Sequence, residues 1–372
     1  MLYPLFGVYH DQSVEEAALS VLRSGQIASG AHVEQFRRAF ADQVGRPLTV
    51  TVNDMSNAVA IALRLAGVEP GTEIITQAFS CLSSNAPLGL SGAKVRWADM
   101  NPDTATVSVD SVEALMTPST RAVLLYHVAG YPGPAQEIAA LCRSRGVALI
   151  EDCNNALGAT LGGVQLGQFG DYAIHSFYPN RQINAIEGGA LSVSTDAEFQ
   201  RALKLRKYGI DPLRFRNSEG EIDPDVDVPE LGWAAILNNL SSAVGLAQMS
   251  GLSARLAATR LNALHLRDLL NGVPGLQIVQ PLAGADPAWW AVLVLAENRD
   301  RLLTQLKRRG VAASRLHFRN DAYSGFKARR APLPGTDRFM AEVVALPCGW
   351  WLSPDDIDAI SQEVRTALAV MA

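Results

Sequence analysis

The stretch Gly170-Asp171-Tyr172-Ala173-Ile174-His175-Ser176-Phe177-Tyr178-Pro179-Asn180-Arg181, followed closely by Glu187-Gly188-Gly189, carries the residues on which both the fold and the chemistry of this chain depend. It predicts a short strand and then a loop. His175 and Ser176 are neighbours on that strand, so their side chains point to opposite faces, and we expect His175 to pack in the core. Arg181 carries a guanidinium that stays protonated at any working pH, which makes it a poor nucleophile and a poor general base.

Short apolar runs alternate with segments of helical period on the N-terminal side of this stretch. A helix is predicted over residues 58–66, with Asp54 or Ser56 capping its N-terminus. Strands separated by helical segments predict a mostly parallel sheet with helices on both faces, in which ligands gather at the carboxyl ends of the strands. The candidate strands are residues 49–52, 73–76, 94–97, 122–126 and 147–150.

The C-terminal part of the chain changes character. Residues 217–230 are rich in Asp, Glu and Pro and predict a long exposed loop, after which helical periodicity resumes over residues 237–256. Further on, strands are predicted at residues 289–295 and near 316–318, and helices at residues 299–309 and 354–369. We therefore predict an α/β protein with a large, doubly wound domain (residues 1–250) and a small α+β domain (residues 251–372).

Composition excludes several classes of function. The chain has 372 residues, of which 48% are hydrophobic and 19% charged, and a formal net charge of -5. This charge gives no general attraction to nucleic acid or acidic membranes, and no apolar run is long enough to cross a bilayer. Without a secretory signal at its start, the chain is expected in the cytoplasm, with scattered, reduced cysteines and no structural metal.

Several further fragments, together with the opening stretch, resemble the DegT/DnrJ/EryC1/StrS family. They include residues 24–30 (SGQIASG), 117–123 (TPSTRAV), 315–318 (RLHF) and 345–347 (ALP), and the likeness runs nearly end to end. That family consists mainly of sugar aminotransferases that use pyridoxal 5'-phosphate on the fold-type-I scaffold. The resemblance implies this fold and a homodimer that builds its site at the subunit interface.

The resemblance also assigns roles to individual residues. Asp152, in the pair Glu151-Asp152, matches the aspartate that binds the pyridine nitrogen, where a carboxylate keeps the nitrogen protonated. Asn155 stands where the family usually has Gln or His against the 3-hydroxyl of the cofactor. Ser176 matches the serine that hydrogen-bonds the phosphate. Arg181 stands where the family has the lysine that forms the Schiff base.

Other positions depart from the family pattern. Met55-Ser56 replaces a Gly-Thr pair that holds the phosphate at a helix N-terminus, and the methionine crowds an approach that glycine permits. Cys81 replaces the aromatic residue that stacks on the pyridine ring, although Phe79 could substitute for it. Ala234 stands in place of an asparagine that reaches the partner's phosphate. Ile236 stands in place of a usual arginine.

The first interpretation is an enzyme that holds pyridoxal 5'-phosphate or pyridoxamine 5'-phosphate non-covalently. Its substrate would be a nucleotide-linked keto sugar or a related cyclic ketone, and its reaction a transamination or dehydration-type step. Arg181 would bind a phosphate group of the cofactor or the substrate as a bidentate donor. Proton transfer would then fall to another residue: His127, at the end of a candidate strand, His175 or Tyr178.

Two alternatives remain open at this point. The chain could be a pseudoenzyme that keeps the scaffold for ligand or partner binding, because several cofactor contacts are lost together. It could also catalyse ordinary transamination through another lysine, for which Lys94, Lys204 and Lys207 are the candidates.

Overall fold

The computed structural model describes residues 2–327 and 330–370. Within these residues the strands are, in chain order, β1 (Thr49–Val52), β2 (Glu73–Gln77), β3 (Lys94–Ala98), β4 (Met100–Asn101), β5 (Thr106–Val107), β6 (Thr120–Tyr126), β7 (Ala148–Asp152), β8 (Thr160–Leu161), β9 (Val164–Gln165), β10 (Tyr172–Ser176), β11 (Gly189–Ser192), β12 (Gln277–Ile278), β13 (Ala285–Asp286), β14 (Val292–Leu295) and β15 (Val343–Leu346).

The helices of the same residues are α1 (Gln12–Ser24), α2 (Ala31–Val44), α3 (Met55–Leu65), α4 (Leu82–Leu90), α5 (Val109–Leu115), α6 (Ala135–Arg145), α7 (Asp196–Leu205), α8 (Asn239–Met249), α9 (Leu252–Leu270), α10 (Arg299–Arg308), α11 (Pro334–Glu342) and α12 (Pro354–Ala369). Short 3-10 turns lie at Val128–Gly130, Asn320–Ala322 and Ser324–Phe326.

A seven-stranded sheet in the order β1-β11-β10-β7-β6-β2-β3 organises the N-terminal two thirds of the chain. β11 pairs antiparallel with both β1 and β10, whereas the pairs β10–β7, β7–β6, β6–β2 and β2–β3 are parallel. The carboxyl ends of all the strands except β11 therefore lie at one edge of the sheet. This confirms the predicted mostly parallel α/β fold.

The central strands form because both of their faces are covered. On one face Ile74 and Ile150 pack with helix α3, and on the other Ile75 and Val123 pack with α6. A strand buried on both sides is a continuous apolar run, which is the pattern that predicted β2, β6 and β7. Helix α3 begins three residues earlier than expected, because Asp54 caps it by accepting a hydrogen bond from the Ser56 backbone N–H at 2.7 Å.

The C-terminal residues differ from the prediction in three places. The expected helix over residues 237–256 is two helices, α8 and α9, separated at Gly251 with φ of 68°. β14 begins at Val292 rather than at residue 289. The strand expected near residues 316–318 is absent from the described structure, because Leu316 takes a φ of 62° that breaks an extended segment.

A smaller antiparallel sheet, β12-β14-β15, packs with α9, α10 and α12 around one core. Helix α12 has the predicted bounds, and α10 ends one residue earlier than expected. The predicted division into domains of residues 1–250 and 251–372 stays a prediction. Among the described residues, no helix combines the length and the apolar character needed to cross a membrane.

Candidate active site

Asp152 and Tyr126 mark the candidate site at the carboxyl edge of the large sheet. They are the last residues of β7 and β6, and they stand opposite each other in the strand register. Asp152 is fully buried, and its Oδ1 accepts from the backbone N–H and the side-chain amide of Asn154, at 3.1 and 2.8 Å. Its Oδ2 makes no hydrogen bond of normal geometry, although the buried hydroxyl of Ser84, which also makes none, lies near enough to stabilise the carboxylate. Burial raises the pKa of Asp152, and a bare buried oxygen of this kind favours a ligand that donates a hydrogen bond.

A short hydrogen-bonded chain runs from Asn155 through Tyr126 to His317. The Asn155 amide donates to the Tyr126 hydroxyl at 2.8 Å, and that hydroxyl lies 3.1 Å from Nε2 of His317. Because Asn155 donates to the phenol oxygen, the phenol proton is left for His317. Burial and the charge of Arg181 lower the pKa of His317 to about 4, so its ring is neutral near pH 7. Oδ1 of Asn155 has no partner.

His317 is a residue that sequence reasoning did not assign to the site. It lies 191 positions from Tyr126 along the chain, on a loop after α10. In the sequence, His317 was notable only as part of the fragment 315–318, one of the fragments that resemble the family. Phe79 packs edge-on against the same imidazole, with ring centres 5.5 Å apart.

Arg181 faces this group of side chains. It is 8% exposed, and one of its amino groups donates to Oδ1 of Asn180. Burial lowers the pKa of Arg181, while Tyr126, Cys81 and Asp152 act to raise it, so all three lie within electrostatic range of the guanidinium. Nε of Arg181 has no partner, and in the described part of the chain Arg181 forms no ion pair with a carboxylate.

Trp290 holds Arg181 from the C-terminal side. The guanidinium carbon lies 5.1 Å from the centre of the Trp290 ring, within the range of a cation–π interaction. The indole N–H donates to the carbonyl oxygen of Asn180 at 3.0 Å, and Phe6 stacks on the same indole with ring centres 4.0 Å apart. The orientation of Arg181 is therefore fixed by its neighbour Asn180 and by Trp290, which Phe6 supports from a third part of the chain.

Both imidazole nitrogens of His127 are hydrogen-bonded within the fold. The side chain is fully buried, its Nδ1 accepts from the backbone N–H of Gly133 at 3.0 Å, and its Nε2 donates to Glu151 at 3.3 Å. Glu151 also accepts from three backbone N–H groups of the loop 167–170. Since both imidazole nitrogens are occupied, this geometry does not support His127 as a proton carrier. Cys153 lies near enough to complete a metal-binding trio, but these hydrogen bonds already use the ligand atoms of the other two.

The side chains of the other two proton-transfer candidates, His175 and Tyr178, form no hydrogen bond with Asp152 or Arg181 in the described residues, and their roles stay predictions. His175 is 3% exposed and packs edge-on against Phe40, with ring centres 5.2 Å apart, and burial lowers its pKa to about 4. Tyr178 is 47% exposed. Of the alternative lysines, Lys94 pairs with Glu73 at the start of β3, at the opposite edge of the sheet, and Lys204 pairs with Asp211.

Met55, Ser56 and Ser176 meet at the β1 side of the site. Ser176 pairs with Gly189 across the sheet, and Gly189 pairs in turn with Val52 at the end of β1. The N-terminus of α3 packs directly on Gly189, where a Cβ atom would come within 2.8 Å of the Met55 Cα. Ser56 and Ser176 are half-buried, so their hydroxyls line this corner of the site. Cys81, also half-buried, is the N-cap residue just before helix α4.

A comparison of the sequence with protein families decides the relationship. The profile of the DegT/DnrJ/EryC1/StrS aminotransferase family matches residues 9–365. The chain belongs to the DegT/DnrJ/EryC1/StrS aminotransferase family.

Several solved structures have the same fold as this chain. The aminotransferase TlmJ from Streptoalloteichus hindustanus is 27% identical over 100% of both chains, with a TM-score of 0.92. The sugar aminotransferase CalS13 from Micromonospora echinospora is 29% identical over 98% of this chain and 100% of its own, also with a TM-score of 0.92. DesV from S. venezuelae, solved in complex with a ketimine intermediate, is 26% identical over 95% of this chain and 93% of its own, with a TM-score of 0.87.

Aminotransferases of the DegT/DnrJ/EryC1/StrS family use pyridoxal or pyridoxamine phosphate, and this chain's residues fit one end of that cofactor. The unpaired, buried Oδ2 of Asp152 fits a protonated pyridine nitrogen. Arg181 provides no amine for a covalent bond. The N-terminus of α3 fits a phosphate dianion poorly, because its Ser56 N–H already donates to the carboxylate of Asp54, whose negative charge would repel the phosphate.

Proposed function

We propose that this chain acts on a nucleotide-linked keto sugar or a related cyclic ketone with a pyridoxal- or pyridoxamine-type ring held non-covalently. The observation that carries the proposal is the bare Oδ2 of Asp152, buried at the end of β7. Leaving a buried carboxylate oxygen unpaired costs free energy, and a protonated ring nitrogen supplies the missing donor. Likeness to CalS13, a sugar aminotransferase, supports a sugar substrate. The predicted homodimer and cytoplasmic location belong to the same proposal.

Three residues of this chain have separate roles: Asp152 and Arg181 bind the ligand, and His317 takes part in proton transfer. When bound, the ring supplies an electron sink next to the reacting carbon. Asp152 holds the ring nitrogen protonated. Arg181, fixed by Asn180 and Trp290, donates hydrogen bonds to an anionic or carbonyl group of the ligand and holds no transferable proton.

His317 is the group placed to move a proton, through its hydrogen bond with Tyr126. With a pKa of about 4 its ring is neutral at pH 7 but only weakly basic, and an anionic ligand group beside it would raise that pKa toward the range that suits proton transfer. His317→Gln should slow turnover of a keto sugar by about 100-fold, the usual size of such a contribution, without weakening ring binding measured by difference absorbance. A variant that binds the ring more weakly but turns over normally would give His317 a binding role instead.

The proposal is tested by titrating the purified protein with pyridoxal, pyridoxamine and their 5'-phosphates. We expect saturable binding, with induced circular dichroism in the cofactor band, and no increase in protein mass after borohydride treatment. Failure of all four compounds to bind would remove the proposed function. A reducible adduct on a lysine would instead restore ordinary transamination through another residue.

A pseudoenzyme is the second candidate, and the observation that favours it is Arg181. A guanidinium buried within electrostatic range of Tyr126, Cys81 and Asp152 stands where a covalent anchor is needed. A pseudoenzyme of this kind would bind a nucleotide sugar, measured by calorimetry, when none of the four cofactor forms has been added. Dependence of sugar binding on an added cofactor form would exclude this candidate.

A further inference from the structure

The N-terminus of α3 is where an anionic end of a ligand would be held in this site. A helix N-terminus presents free backbone N–H groups and a partial positive charge. Here it is flanked by the hydroxyls of Ser56 and Ser176, and it lies at the carboxyl edge of the sheet with Asp152. In this chain, however, the Ser56 N–H donates to the carboxylate of Asp54, so a fixed negative charge already lies at this N-terminus.

A second carboxylate, that of Glu187, lies within electrostatic range of the first. Glu187 precedes Gly188 and Gly189, and Gly189 packs on the N-terminus of α3. Burial raises the pKa of Glu187, and the charge of Asp54 raises it further. In the described residues neither carboxylate forms an ion pair. Both therefore act on a ligand with their charges uncompensated by a close cation.

Apolar side chains complete the same corner. Asn53 donates to the carbonyl oxygen of Ala234 at 2.9 Å, and Ile236 forms a bridge with Val52 at the end of β1. Ala234 and Ile236 are both exposed, and neither side chain can donate a hydrogen bond to an anion. Two acids and two apolar groups thus surround the start of α3.

We propose that this end of the site selects against a phosphate and accepts a neutral or cationic group. The inference rests on the proposed function, and it names the ligand more narrowly: a pyridine ring bearing a hydroxymethyl group rather than a phosphate ester. Pyridoxamine binds at least as tightly as pyridoxamine 5'-phosphate. Asp54 and Glu187 are the residues that set this preference.

The test compares dissociation constants of these two compounds by difference absorbance. Asp54→Ser keeps a residue that caps a helix well but removes the charge, and Glu187→Gln removes the second charge. Each variant should bind pyridoxamine 5'-phosphate about tenfold more tightly than the wild type, the effect that repulsion of a dianion by one carboxylate a few ångströms away has in water. Pyridoxamine should bind all variants within about threefold. Asp355→Asn, an exposed acid in the first turn of α12, is the matched control and should change neither constant.

The outcomes separate this inference from the proposed function. If the wild type binds pyridoxamine 5'-phosphate more tightly than pyridoxamine, and neither variant changes the two dissociation constants, the proposed selection against phosphate is wrong. The proposed function is unaffected by that result. Binding of neither compound by any variant overturns the function itself. Because Asp54 caps α3, an unfolded Asp54→Ser protein would leave the decision to Glu187→Gln, whose residue lies outside any helix or strand.

Discussion

Arg181→Lys should give the protein a covalent, borohydride-reducible adduct with pyridoxal that the wild-type protein lacks. An amine at this position lies within electrostatic range of Tyr126, Cys81 and Asp152, at a site that is 8% exposed. Burial favours the neutral form of a lysine, which is the form that attacks a carbonyl. The change is all or none, since a guanidinium does not form such an adduct. Mass spectrometry after reduction should place the adduct on the peptide that contains residue 181.

Arg181→Gln is the matched control, because it removes the charge without adding an amine. It should give no adduct under the same conditions. If Arg181→Lys stays unmodified while it still binds pyridoxal, position 181 does not face the carbonyl group, and the assignment of the site is wrong. Pyridoxal is the better probe here, because its binding does not depend on the acidic corner at Asp54 and Glu187.

Asp152→Asn should weaken binding of the pyridine ring by about 100-fold or more. Removing one partner of a buried ion pair costs roughly 3–5 kcal/mol, and each 1.4 kcal/mol corresponds to about tenfold in affinity. The measurement is the dissociation constant from difference absorbance. Asp171→Asn is the control. Asp171 lies just before β10, at the edge of the sheet opposite the candidate site, and its carboxylate accepts a hydrogen bond from the backbone N–H of Leu149. Equal weakening by both substitutions would contradict a specific role for Asp152.

The stability of the same variant distinguishes a lost contact from a damaged fold. Because burial raises the pKa of Asp152 above its ordinary value, its contribution to stability is fully present below the unfolded-state pKa and is lost as pH rises through the folded-state pKa. The Asp152→Asn variant has no buried group that ionises at this position, so it does not lose stability as the pH rises. The unfolding temperature of the variant at pH 7 should therefore equal or exceed that of the wild type. A large drop in the unfolding temperature would mean that weaker binding reflects misfolding.

The local residue pattern predicted most of the helices and strands of the fold. β1 has the predicted bounds because four consecutive β-branched residues lie between covered faces, and α12 has them because Ser353 and Pro354 form a strong helix start. The strand predicted near Leu316 was wrong. The backbone there is set by contacts with Phe79 and with the end of β6, and not by a local alternation of polar and apolar residues.

The site was less accessible to sequence reasoning. The resemblance pointed to Asp152, Asn155 and Arg181, which the structure brings close to Tyr126. It did not reveal that the nitrogens of His127 are used within the fold, since that depends on Glu151 and a loop 40 positions away. The position of His317 depends likewise on how the C-terminal residues pack on the large sheet, which has no local signature.

The stack of Phe6 on Trp290, which in turn lies beside Arg181, ties the first few residues of the chain to the chemistry of the pocket. Replacing Phe6 would therefore uncover one face of the indole that lies beside the guanidinium whose behaviour has to be measured. Protein prepared for such experiments should keep the segment around Phe6 native.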